Sequence, residues 1–296
     1  MYNVFKLPII CFLITSSVFA QKDSKEHFEL KAGNSIMKIS PKGGRIISYK
    51  IGKKEILTQA SEHENFGSTL WTAPQSDWGW PPFSVLDDQD YQVEDNGSLL
   101  KMISKLDLKS GFQVVKTWKV VGNQEVKIEY QIRNISDKPQ SVGAWVVSRV
   151  PCGGLAFFPD GGDEKVPESN LKTDFRKEGI NWVAIDKKPI EDHQKLFSTA
   201  KEGWLAYLID GLLFIKQFPD TKPENYSPQQ GEVEIYINKE KSYAELENHG
   251  PYQLLQPGGS LTYLENWFLI QVPPTIKVEY GSKELCDLVR AKITEK

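Results

Sequence analysis

The chain has 296 residues, a quarter of them charged, with 36 Lys and Arg against 39 Asp and Glu and a formal net charge of −3. The signs alternate along the chain and no basic block occurs, which argues against nucleic acid or an anionic membrane as a partner. Three cysteines do not make a disulfide scaffold, and a chain of this length can bury a large core without one.

The first twenty residues do not belong to the fold. Lys6 precedes a mainly apolar run from Leu7 to Val18, and Val18-Phe19-Ala20 supplies the small residues that a signal peptidase needs before Gln21. The run is too short for a permanent membrane anchor, and no Cys follows it at a lipoprotein cleavage position, since Cys11 lies inside it. Residues 1–20 are therefore expected to be a cleaved signal peptide, leaving a soluble protein in the periplasm or outside the cell. Its removal takes away one Lys and no acid. Cys152 and Cys286 remain; that compartment permits a disulfide, but their separation does not demonstrate one.

Next comes the densest aromatic stretch, Trp71 to Pro82, with three tryptophans and three prolines in twelve residues. Pro74, Pro81 and Pro82 remove donors and bias their neighbours toward extended geometry, so a regular helix is excluded. The stretch does not alternate like a plain strand either, and reads as a stiff loop. Trp71, Trp78 and Trp80 beside Gln75 and Asp77 suit the apolar faces and hydroxyls of a sugar. An aromatic packing corner of a β-protein is the competing reading.

Strand signals dominate the rest. Val126, Ile128, Tyr130 and Ile132 alternate with charged or polar residues, and the same reading covers Phe112 to Val121, Ser141 to Val150, Trp204 to Ile209, Leu212 to Phe218, Glu232 to Ile237 and Leu261 to Ile270. Asp210-Gly211 between two apolar runs predicts a tight hairpin. Pro159 to Asn170, Asp186 to Gly203 and Pro219 to Gly231 read as long loops. Only Lys283 to Ile293 shows helical spacing. No shift in composition divides the chain, so residues 21–296 are expected to form one all-β domain of two large curved sheets packed face to face, with a short C-terminal helix.

Several segments together resemble the galactose mutarotase-like superfamily, which contains the aldose 1-epimerases. Ile39-Ser-Pro-Lys-Gly43-Gly44-Arg45-Ile46 is similar to its opening hairpin. Tyr130-Gln-Ile-Arg-Asn134 through Pro139 is similar to the strand and turn before its active-site strand. Tyr243-Ala-Glu245-Leu-Glu247-Asn-His249, then Pro257-Gly258-Gly259 and Glu265-Asn-Trp267, is similar to its closing strands. The resemblance spans most of the mature chain, and its order and spacing are more specific than any one motif. It implies a β-supersandwich with a concave sugar-binding face that takes a mono- or oligosaccharide; no cofactor and a monomer are expected.

For chemistry the resemblance implies a carboxylate that takes the anomeric hydroxyl proton and an acid that protonates the ring oxygen. Glu245 and Glu247 are the candidate bases, with Glu245 preferred. The acid histidine of mutarotases has no counterpart in Val142 to Arg149. Arg149 scarcely deprotonates, so it is expected to bind hydroxyls or a carboxylate, together with Arg45. His249 or His63 is left as the acid, while His27 and His193 read as exposed. A His/Glu metal site lacks His-x-His spacing, and Asp160, Asp163 and Glu164 lack the spacing of an EF-hand calcium loop, so no metal is expected. A sugar-binding protein that has lost the chemistry is the alternative.

Overall fold

The computed structural model describes residues 26–162, 166–240 and 242–295. The expected signal peptide (residues 1–20), Asp163 and Glu164 lie outside them. Alternation builds the strands as expected: in Glu125–Asn134, Val126, Ile128, Tyr130 and Ile132 are buried, and the residues between them are exposed or half-buried. Asp210 and Gly211 both take positive φ, 48° and 75°, and join Trp204–Ile209 to Leu212–Gln217 as a two-residue hairpin.

Two ten-stranded antiparallel sheets result. The first runs in the order Phe28–Ala32, Ser35–Ser40, Arg45–Ile51, Ser68–Ala73, Gln140–Val150, Ala244–His249, Val233–Ile237 and Gln194–Ser198, with two short strands attached. The second is built around Gly154–Pro159, Trp204–Ile209, Leu212–Gln217, Ser260–Gln271, Glu125–Asn134 and Phe112–Val121. The sheets bury a shared core, to which Ile46, Tyr49, Leu70, Val146, Ile235 and Leu246 come from the first and Trp118, Ile128, Phe214 and Trp267 from the second. Burying a side chain of this size contributes about 1.5–3 kcal/mol, so this core holds the sheets together. The outer face of the second sheet is covered by the helix Lys283–Thr294, capped by Ser282, through Leu285, Cys286 and Val289. Cys152 packs in the core between the sheets and Cys286 under the helix, and no disulfide joins them.

Three local expectations need correction. Trp71 to Ala73 closes the strand Ser68–Ala73 and is not loop; the strand is buried on both faces, so no alternation shows. The polar stretch from Asp186 to Gly203 contains the strand Gln194–Ser198, paired with Val233–Ile237, with Leu196 buried in the core and its polar residues half-buried. A helical turn, Ser84–Asp87, also forms just after the Trp and Pro loop. Among the described residues, no helix is long and apolar enough to cross a membrane.

Candidate functional site

The candidate site residues of the closing strands lie on the outer face of the first sheet. In Ala244–His249, Ala244 and Leu246 point into the core, so Glu245, Glu247 and His249 share the opposite face. Register extends this face sideways. Arg149 stands opposite Glu245, Val147 opposite Glu247 and Trp145 opposite His249. On the other side Tyr236 stands opposite Glu245, and Glu234 opposite Glu247. Lys195 and Phe197 follow on the next strand and Trp71 on the strand beyond Trp145.

Two charged groups divide this face. Around Arg149, the guanidinium Nε donates to Glu245 Oε1 at 2.9 Å and the guanidinium lies 5.0 Å from the centre of the Trp71 ring. The Trp71 indole N–H donates to Asp87 at 2.8 Å, and Asp87 also pairs with Arg45 at 2.9 Å. Burial works to raise the Asp87 carboxyl, but Arg45 and these donors hold it below its usual range. The turn at Gly43 makes this contact possible: its φ is +64°, and a Cβ there would lie 1.8 Å from the Asp87 carbonyl oxygen.

The second group is buried except for Lys195, whose side chain is 26% exposed. Trp145 Nε1 donates to Glu247 Oε2 at 2.7 Å, and the Lys195 ammonium reaches Glu247 at 3.2 Å and Glu234 at 2.6 Å. His249 stacks on Trp145 with ring centres 5.4 Å apart, and its Nε2 lies 3.4 Å from Glu234. Neither His249 ring nitrogen makes a hydrogen bond, nor does Glu247 Oε1. Burial pushes the Glu247 carboxyl up to about 8, opposed by Lys195 and reinforced by Glu234 and Glu245. Glu234 is held below the usual range, because His249 and Lys195 outweigh its burial. Burial lowers His249.

Above this group lies an open cleft of about 480 Å³, lined by Gln75, Trp80, Trp145, Lys195, Phe197 and Glu234. The three loop tryptophans divide by role. Trp71 is 8% exposed and packs against Trp145; Trp78 is half-buried, with its N–H on the Thr72 carbonyl; Trp80 is 61% exposed and walls the cleft. His63 packs against Tyr243, with ring centres 4.8 Å apart and planes tilted by 56°, just before the far end of the strand that carries His249. His193, expected to be exposed, is half-buried against Tyr236, whose hydroxyl lies 2.6 Å from its Nδ1.

The structure thus brings Arg45, Trp71, Arg149 and Glu245 into one group and Glu247 and His249 into another, with Gln75 and Trp80 above. Asp87, Trp145, Lys195, Phe197 and Glu234 were not among the candidates read from the sequence. Glu234 had a visible signal, a carboxylate on an otherwise apolar strand. Lys195 had none, because its strand reads as a polar loop.

A family model described as a domain of unknown function, DUF4380, matches residues 26–270. The chain belongs to the DUF4380 family. No curated protein matches it in sequence. This DUF4380 chain is similar in structure to a galactose mutarotase related enzyme from Lactobacillus acidophilus, at 12% identity and a TM-score of 0.60, covering 85% of this chain and 100% of that one. It is similar also to a putative aldose 1-epimerase from Escherichia coli K12, at 10% identity and a TM-score of 0.58, covering 83% and 99%. A galactose mutarotase-like protein from Clostridium acetobutylicum aligns at 13% identity and a TM-score of 0.53, covering 82% and 95%. At these identities it is the architecture that is shared, and the DUF4380 fold is galactose mutarotase-like.

Proposed function

We propose that this protein binds a carbohydrate on the outer face of its first sheet and acts on it in the manner of an aldose 1-epimerase. The observation that carries the binding is the cleft of about 480 Å³ over Trp145 and Lys195, walled by the exposed Trp80 and by Gln75. That volume suits a small ligand, and the mix of aromatic faces with a few directed polar groups suits the alternating C–H and hydroxyl surfaces of a sugar ring. The similar structures described as aldose 1-epimerase and galactose mutarotase related support the same class of ligand.

For the chemistry, Glu245 remains the preferred base. It is fixed by Arg149 at 2.9 Å and keeps 12% of its side chain accessible, whereas Glu247 is fully buried beneath Trp145 and Lys195. A base must reach its proton directly or through one water, which favours the accessible carboxylate.

Binding is tested by titrating neutral mono- and oligosaccharides against intrinsic tryptophan fluorescence. Trp80→Ala should weaken binding by about 1–2 kcal/mol while leaving the fold intact. Anomer exchange, followed by NMR, should fall roughly 10²-fold in Glu245→Gln under conditions where the variant is folded. Failure of every sugar to bind would overturn the reading; binding without anomer exchange would remove the epimerase step alone.

A further inference from the structure

The buried group beneath the cleft has features that sugar binding does not use. Glu247 and His249 are two residues apart on one strand and so lie on one face, and Glu234 stands directly across from Glu247. Their donor atoms, two carboxylate oxygens and an imidazole nitrogen, all lie within 4.8 Å of one another. Donors on one tetrahedral ion at about 2.0–2.2 Å stand about 3.3–3.6 Å apart, so side-chain rotations that draw the widest pair together by up to about 1.5 Å would close this set on an ion.

Two further observations point to a cation. His249 is 1% exposed, and neither of its ring nitrogens nor Glu247 Oε1 has a hydrogen-bond partner. A buried polar atom left in this way has lost its water without a replacement, so a ligand that engages it has a built-in advantage. In addition, the Lys195 ammonium lies against both carboxylates, 2.6 Å from Glu234 and 3.2 Å from Glu247. Lys195 therefore already holds a cation between Glu234 and Glu247, and its side chain, 26% exposed, lines the open cleft together with Glu234.

We propose that Glu234, Glu247 and His249 form a binding site for a divalent transition cation, Zn²⁺ or Mn²⁺, in competition with the Lys195 ammonium. The mixed oxygen and nitrogen donor set suits those ions better than calcium, which prefers oxygen alone. Three protein donors leave further coordination positions for water or a ligand in the cleft.

The experiment uses the full chain stripped with chelator, titrated with ZnCl₂ and then MnCl₂ by calorimetry in the absence of any sugar, so its outcome is independent of the carbohydrate reading. One equivalent of Zn²⁺ or Mn²⁺ should bind. Glu234→Gln and His249→Gln should each weaken binding at least roughly tenfold, as loss of a donor requires. Lys195→Met should tighten it by a similar factor, because the competing ammonium is gone, and the ion should raise the thermal midpoint of that variant more than that of the wild type. Should His249→Gln not fold, Glu234→Gln and Lys195→Met still decide, since their effects run in opposite directions. Binding that is absent, or unchanged by Glu234→Gln, or weakened by Lys195→Met, would overturn the proposal and leave Lys195 as the permanent counter-ion of an internal network.

Discussion

The pair Arg149–Glu245 offers a direct measure of how the site is held together. Arg149 is 1% exposed, and its Nε lies 2.9 Å from Glu245 Oε1. At that distance two unit charges attract by about 6 kcal/mol in an effective dielectric of about 20, and desolvation of the buried guanidinium offsets much of this. Breaking the pair is a different matter, because one charge then stays buried without its partner. Glu245→Gln keeps the shape but strands Arg149, and should cost about 3–5 kcal/mol. Arg149→Met strands Glu245, whose side chain is 12% accessible, so water can compensate part of the loss and the cost should be near about 2–3 kcal/mol. The double variant leaves no stranded charge. It should be more stable than the two single losses predict, by at least about 1.5 kcal/mol of coupling. Urea unfolding of the four proteins at one pH gives the cycle. Additive single losses would show that the two groups do not interact and that Arg149 is held by the Trp71 ring and Asp87 instead.

Trp78→Ala should lower stability by about 2 kcal/mol with little effect on sugar affinity, because Trp78 packs on Trp71, Trp145 and Phe83; a thermal midpoint equal to wild type would return Trp78 to the ligand. Burial pushes the Lys116 ammonium down to about 7, from 10.5 in an exposed lysine. Between those values the unfolded chain binds the proton that the folded chain lacks, so stability should rise with pH across that window, by up to about 1.4 kcal/mol per unit, with the full burial cost remaining below it. Lys116→Met should reduce this slope in urea titrations, leaving the part that comes from Lys216, which burial lowers to about 8; an identical slope in both proteins would contradict the assignment. Mass spectrometry of the protein from its native host should find Gln21 at or near the N-terminus, and retention of Met1 to Ala20 in soluble protein would contradict export.

What the sequence determined was what depends on neighbours along the chain. Period-two burial in Val126 to Ile132, the positive-φ turn at Asp210-Gly211 and the helical spacing of Lys283 to Ile293 all act within a few residues, and all appear in the structure. The shared face of Glu245, Glu247 and His249 was legible for the same reason, since strand parity is local. Tertiary structure decided which groups meet across strands. Glu234 faces Glu247 only because two strands pair in that register, and Lys195 reaches both from a stretch whose polarity imitates a loop. Asp87 meets Arg45, Thr69 and Trp71 from a helical turn placed over them by the Gly43 turn. The division of the tryptophans into two packed and one exposed likewise follows from the strand that carries Trp71 being interior to its sheet. A carboxylate in the sequence is only a titratable group; its partners, its burial and hence its chemistry are set by residues up to a hundred positions away, brought within 3 Å by sheet registry.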